Sequence, residues 1–208
     1  MNEKYIAIID YNAGNIKSVS NAFLKVGALV KVTNSLKMIR NASAIVLPGV
    51  GAFGDAMNNL EIFNLTDLIK REIRRKPFLG ICLGFQLLFE YSTEKEHNEG
   101  LSVFKGYVDK IPEGVKVPHI GWNQINIVKN DSKIFKNINN NENFYFVHSY
   151  YVKCEETSLI SSTTDYGINL TSSIERDNIF ALQFHPEKSS IKGMTILENF
   201  WNYVLEEG

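Results

Sequence analysis

Four short runs constrain the fold of this chain more than any other feature. YIAIID (5–10), ALVKVT (28–33), ASAIVLPG (42–49) and PFLGICLG (77–84) are apolar with little polar interruption, and longer mixed stretches separate them. Between the first two, GNIKSVSNAFLKVG (14–27) places Ile16, Val19, Phe23 and Val26 near helical spacing. LEIFNLTDLIKREIRRK (60–76) is expected to form the helix that leads into the fourth run. Repeated alternation of this kind implies a parallel sheet with helices on its faces, an α/β fold.

Beyond position 100 the pattern changes. VKVPHI, QINIVK, FYFVHSYYV and IFALQFH are shorter strand candidates separated by Gly, Asn and Asp, so additional antiparallel strands are expected. The closing segment, KGMTILENFWNYVLEE, sets Met194, Leu197, Phe200, Trp201 and Val204 on one helical face suited to docking on the sheet. NINNNEN (137–143) reads as a surface loop. No internal repeat is present, and residues 1–208 are expected to form a single domain.

Charge and cysteine usage exclude several classes. The formal net charge of -1 gives no global field that favours nucleic acid or an anionic membrane. No stretch approaches the roughly 18 to 20 continuous apolar residues of a membrane span, and the first apolar run is short for a secretory signal, so a cytoplasmic protein is expected. In a reducing compartment Cys82 and Cys154 are expected as free thiols. His97, His119, His148 and His185 lack the spacing to Cys or carboxylate that a zinc site needs, so no metal and no other cofactor is expected. His119 and His148 read as structural or interface residues.

The residue with the most chemical potential is Cys82. In PFLGICLGFQLLFEYS it is flanked by Gly80 and Gly84 and precedes helical apolar spacing at Phe85, Leu88 and Phe89. Glycine two residues to either side is the pattern of a nucleophile elbow, where a sharp strand-to-helix turn crowds the neighbouring backbone. A helix N-terminus favours thiolate, and its amides can stabilise an oxyanion. The plainer alternative is that Cys82 is a small buried hydrophobe in a glycine-rich strand end.

Two further segments bear on that choice. IFALQFHPEKSS presents His185 and Glu187 around Pro186, so that an imidazole and a carboxylate can lie side by side in the base-and-orienter arrangement of a triad. LPGVGAFGDAM (47–57) ends a strand-like run in Pro48 and three glycines before a possible helix. Such a loop can aim backbone amides at developing negative charge, and it lacks the Gly-Lys-Ser/Thr ending of a phosphate loop.

Taken together these segments resemble the class I (triad) glutamine amidotransferases, over nearly the whole chain. GICLGFQLLFE is similar to the family's nucleophile motif, LPGVGAFG to its oxyanion loop and QFHPEKSS to its His-Glu motif. VPHIGWN and FYFVHSYY, with HPEKSS, resemble the branch formed by the glutaminase subunits of imidazole glycerol phosphate synthase, in histidine biosynthesis. The resemblance implies a flavodoxin-like or Rossmann-like fold and hydrolysis of L-glutamine to glutamate and ammonia. It implies Cys82 as nucleophile, His185 as proton carrier and Glu187 as orienter. Gly49, Val50 and Gly51 with the amide of Leu83 would form the oxyanion hole, Gln86 and Glu94 would hold the amino-acid end of the substrate, and Ser149 and Tyr150 would bind its carboxylate.

The same resemblance implies a heterodimer with a (β/α)8-barrel cyclase subunit, which receives the ammonia and makes imidazole glycerol phosphate and an aminoimidazole carboxamide ribotide. Asn15, Trp122, Asn123 and Lys188 are the expected contact residues. One departure is DYNAGN, where Asn12 stands at a place more often occupied by glycine. A paralogous glutaminase that supplies ammonia to a barrel synthase for amidation of surface-polysaccharide sugars would keep the same catalytic residues. A stand-alone cysteine hydrolase and a noncatalytic binding module are the competing classes.

Overall fold

The computed structural model describes residues 3–207, and in it the apolar runs become strands whose successive side chains enter opposite cores. The first half runs β1 (Ile6–Ile9), α1 (Ile16–Lys25), β2 (Val30–Thr33), α2 (Leu36–Asn41), β3 (Ala44–Gly49), α3 (Phe53–Ile62), α4 (Thr66–Glu72), β4 (Phe78–Cys82) and α5 (Leu83–Gln86). The second half is richer in strands: β5 (Tyr91–Ser92), β6 (Asn98–Glu99), β7 (Gly106–Lys110), β8 (His119–Gln124), β9 (Asn126–Ile127), β10 (Asn143–His148), β11 (Tyr150–Cys154), β12 (Ile160–Asp165), β13 (Asn169–Arg176) and β14 (Ile179–Leu182). Helix α6 (Ser190–Glu207) closes the chain, and among the described residues no helix is long and apolar enough to cross a membrane.

The main sheet has the order β2-β1-β3-β4-β14-β13-β12-β9. Pairing is parallel from β2 through β14 and antiparallel from β14 to β9. With β14 as fifth strand, the parallel part follows the flavodoxin-like order rather than the Rossmann one, which decides between the two expected variants. Two smaller sheets, β10-β8 and β11-β7-β5-β6, stand beside it.

Period-two alternation explains why the central strands are apolar throughout. Ile6, Ile8, Val46, Leu79, Ile81 and Leu182 face one core, which α1 and α6 cover through Phe23, Leu197, Phe200, Trp201 and Val204. Ala7, Ile9, Ile45, Leu47 and Phe78 face the other, which Ile39, Leu60, Leu68 and Ile69 cover. Met194 of the expected α6 face is only partly buried, at the rim.

Several boundaries differ from expectation. The helix expected at 60–76 is the last turn of α3 followed by α4, because α3 ends in a Schellman motif. Asn64 adopts φ +55°, its N–H donates to Glu61 at 2.8 Å, and Leu65 N–H donates to Leu60 at 2.8 Å. Helix α2 is additional to the expected elements, and Ser35 caps it by accepting from Met38 N–H. VKVPHI is mostly irregular, with β8 beginning at His119, and FYFVHSYYV is two strands broken at Ser149. The antiparallel hairpin β12–β13 was not anticipated. Its ISSTTD and NLTSSIER carry buried Ser161, Ser162, Ser172 and Ser173, whose hydroxyls satisfy one another at 2.6–2.8 Å, so the strands are interior without being apolar.

Candidate active site

Cys82 ends β4 and opens α5 with φ +54° and ψ -107°, a conformation that non-glycine residues rarely adopt. The flanking glycines are required by close backbone approach. A Cβ on Gly80 would lie 2.8 Å from the carbonyl oxygen of Gly84, and one on Gly84 would overlap the carbonyl of Leu47. The elbow is therefore held by β3 on one side and by its own helical turn on the other. α5 is shorter than the apolar spacing suggested, yet Phe85, Leu88 and Phe89 are all fully buried beneath it.

The sulfur opens onto a cleft of about 320 Å³ lined by Val50, Gly51, Leu83, Gln86, Glu94 and the 147–150 segment, among others. Gln183 Nε2 lies 3.7 Å from Sγ, and Sγ lies 3.8 Å from the carbonyl of Val147. Both cysteines are free, and Cys154 is half-buried elsewhere, with Sγ 3.4 Å from the carbonyl of Glu156.

His185 follows β14 and enters the Pro186–Lys188 turn, which brings Glu187 back to its ring. Nδ1 of His185 and Oε1 of Glu187 are 2.9 Å apart, with the two side chains 2% and 0% exposed. Ser189 Oγ donates to the carbonyl of His185 at 2.6 Å, and His185 N–H donates to Tyr145 at 2.9 Å, so the backbone under the ring is fixed. With Nδ1 on the carboxylate, Nε2 is the nitrogen left to serve the thiol. It is buried with no hydrogen-bond partner among the described residues. Burial alone would lower the imidazole pKa, but negative charge on Cys82 and then the Glu187 carboxylate outweigh it and raise His185 to about 10.

The glycine loop lies against the elbow. Gly49 is in register with Cys82, and a Cβ there would sit 2.5 Å from Tyr11 Oη and 2.9 Å from Leu83 Cβ. Tyr11 Oη donates to the carbonyl of Pro48 at 2.7 Å. Gly51 has φ +107°, and Val50 is 42% exposed at the cleft mouth. Gly49 to Gly51 and Leu83 thus border the sulfur from one side.

On the other side, Gln86 Nε2 donates to the carbonyl of Tyr150 at 2.9 Å and to Gln183 Oε1 at 3.0 Å. Glu94 Oε2 accepts from Phe53 N–H at 2.7 Å, which ties its carboxylate to the start of α3 while it lines the cleft. Ser149 and Tyr150 form the opposite lip. Gln183 was missed in the sequence. Its only signal is a polar residue between the apolar IFAL and Phe184.

The expected contact residues divide by face. Trp122 is 54% exposed on the outward face of β8 with Ile120, and its ring meets Tyr145 edge-on. Lys188 is exposed, with Nζ 5.7 Å above the Tyr145 ring. Asn15 stands at the N-cap position of α1 without a side-chain capping bond and is half-buried. Asn123 lies on the other face of β8, half-buried, and its amide donates to the carbonyl of Asp165 at 3.0 Å. Asn12 has φ +61°, a conformation that glycine takes freely and that Asn tolerates better than most other residues.

A family model described as glutamine amidotransferase class-I matches residues 7–203. Imidazole glycerol phosphate synthase subunit HisH of Aquifex aeolicus is 53% identical, over 93% of this chain and 94% of its own length. The protein of the same name from Methanothermobacter thermautotrophicus is 50% identical, over 94% and 96%. Among solved structures, a glutamine amidotransferase from Thermotoga maritima superposes with TM-score 0.67 at 18% identity, covering 100% of this chain and 86% of that one. PurLQS from Thermotoga maritima gives 0.72 at 17% identity, covering 98% of each chain, and the likeness extends to the fold.

Proposed function

The chain belongs to the class-I glutamine amidotransferase family, and on that premise we propose that it is the glutaminase subunit of an imidazole glycerol phosphate synthase. The observation that carries the chemistry is the buried His185–Glu187 pair set behind a cysteine elbow at the floor of one cleft. The similar curated relatives favour this branch over the sugar-amidating alternative.

In the proposed reaction Cys82 Sγ attacks the side-chain amide carbon of glutamine as thiolate. The oxygen of the tetrahedral intermediate turns toward the amides of Gly49 to Gly51 and Leu83. His185 gives its proton to the departing nitrogen, the carbon–nitrogen bond breaks, and ammonia leaves a glutamyl thioester. Water then adds to the thioester while His185 Nε2 takes its proton, and glutamate departs as the sulfur is regenerated. Glu187 keeps Nδ1 occupied through both halves. Gln86, Glu94, Ser149 and Tyr150 hold the amino-acid end of the substrate.

The partner in this reading is a (β/α)8-barrel cyclase in a cytoplasmic heterodimer, seated on the face that carries Trp122 and Lys188. Ammonia is largely protonated at neutral pH and diffuses away, so release beside its acceptor is useful. The test is glutamate release from glutamine by the full chain, alone and with the histidine-pathway barrel subunit plus its nucleotide ligand. Strong stimulation by that barrel is expected. Absence of glutamine turnover in every combination overturns the reading.

A further inference from the structure

We propose that Asn123, His119 and His148 form a positioning relay that sets the Tyr150 carbonyl, and through it Gln86, at the substrate end of the cleft. The inference rests on the glutaminase reading and deepens it.

The chain of contacts is continuous. Asn123 Nδ2 lies 3.3 Å from His119 Nε2, His119 Nδ1 lies 3.1 Å from His148 Nε2, and His148 Nδ1 lies 2.9 Å from the carbonyl of Tyr150. That carbonyl also accepts from Gln86 Nε2 at 2.9 Å. Gln86 continues to Gln183 Oε1 at 3.0 Å, and Gln183 Nε2 approaches Cys82 Sγ at 3.7 Å. A polar path therefore runs from the inward face of β8 to the sulfur.

The partners fix its direction. A carbonyl only accepts, so His148 carries its proton on Nδ1 and offers Nε2 as acceptor. His119 must then donate from Nδ1 and accept at Nε2. The Asn123 amide supplies that last donor, because its Nδ2 faces the Asp165 carbonyl and its Oδ1 accepts from Gln124 N–H at 2.8 Å. Any other tautomer sets two lone pairs or two protons against each other. Both rings are held neutral. Burial pushes His119 down to about 4. Burial first, and the neighbouring His119 and His185 as well, push His148 down to about 3 against the opposing pull of the Tyr150 carbonyl. The His119 ring is clamped between Phe146, at 4.9 Å and 17°, and Tyr166, at 3.8 Å and 20°, so it has one orientation in which to donate.

His119 stands one step from the cleft, which makes it the discriminating position. His119→Phe keeps the aromatic stack and loses both hydrogen bonds. His119→Asn loses the stack, yet its Nδ2 can occupy the place of Nδ1 and donate to His148. The full chain, assayed with its barrel partner, is expected to show KM for glutamine raised about tenfold in His119→Phe, the worth of one hydrogen bond, with kcat little changed. Recovery of most of that loss is expected in His119→Asn. The reverse ranking, a mild Phe variant and a worse Asn variant, reduces His119 to packing and overturns the relay. Nitrogen-15 NMR of the imidazoles supplies a readout independent of turnover. Both rings are expected as neutral Nδ1–H tautomers down to about pH 5, and the Gln86 side-chain amide is expected to shift in His119→Phe and return in His119→Asn. An Nε2–H tautomer in either ring, or an unmoved Gln86 amide, overturns the relay. Absence of glutamine turnover in wild type defeats the glutaminase reading instead and leaves the NMR result to decide the relay alone.

Discussion

The phenol of Tyr11 donates to the carbonyl of Pro48 across 2.7 Å in a fully buried contact between the end of β1 and the start of the glycine loop. The carbonyl has no access to water there, so Tyr11→Phe leaves it without its donor. A loss of about 1–3 kcal/mol in urea unfolding is expected. An unchanged midpoint and slope would show that this bond contributes nothing to the loop's hold.

Cys82→Ala is expected to abolish glutamate release while retaining the fold, because it removes only the sulfur from a position already set by the elbow. Circular dichroism and the unfolding midpoint check the second half of that statement. Glutamine turnover persisting in the variant removes Cys82 as nucleophile.

Gly84→Ala tests the elbow's geometry separately from its chemistry. The added methyl overlaps the Leu47 carbonyl, which belongs to a central strand and cannot yield as a flexible side chain can. Destabilisation of more than about 2 kcal/mol is expected, alongside loss of activity. Wild-type unfolding in this variant would contradict the close approach.

The raised pKa of His185 sets a pH window. A group raised on folding contributes stability that is fully present below its ordinary value of 6.5 and is lost as pH rises through about 10. Activity that uses the imidazolium should decline across the same alkaline limb. Glu187→Gln removes one of the charges that hold His185 up, so the limb is expected to move to lower pH. It should reduce kcat less than His185→Asn does, since an orienter contributes less than the proton carrier. An alkaline limb that stays in place in the Glu187 variant speaks against the pairing.

Phe200 joins α6 to α1 and to the sheet through edge contacts with Phe23 at 6.0 Å and Phe180 at 5.9 Å. Phe200→Ala is expected to cost about 3–5 kcal/mol in equilibrium unfolding, by cavity formation in a fully packed core. A change under about 1 kcal/mol would mean that α6 docks without it.

What could be read from the sequence was whatever burial on both sheet faces writes as continuous apolar runs. β1, β3 and β4 were visible for that reason, and Cys82, Gly80 and Gly84 stood out because steric crowding leaves few residue choices at such a turn. The hairpin β12–β13 was invisible because its interior is filled by serine hydroxyls that pair with each other, a solution with no hydrophobic period. The helix break at Asn64 was missed since Asn serves a left-handed turn without announcing it as glycine would. Gln183 could not be placed beside Cys82 by spacing alone, because β14 and β4 are brought together only by the parallel register of the sheet.

Cys82 sits at the end of an interior strand, with Gly49 of β3 in register beside it, while the facing lip of the cleft is carried by the junction of β10 and β11. The two walls thus differ in mechanical character. Cys82 and Gly49 are held within the main sheet, whereas the second wall joins a two-stranded ribbon, whose outer surface bears Trp122, to a four-stranded sheet. A protein that presses on that ribbon acts on β10, which carries the Val147 carbonyl 3.8 Å from the sulfur and the Tyr145 carbonyl that accepts from His185 N–H. Alkylation of Cys82 by a small reagent and turnover of glutamine should then both respond to the same docking event.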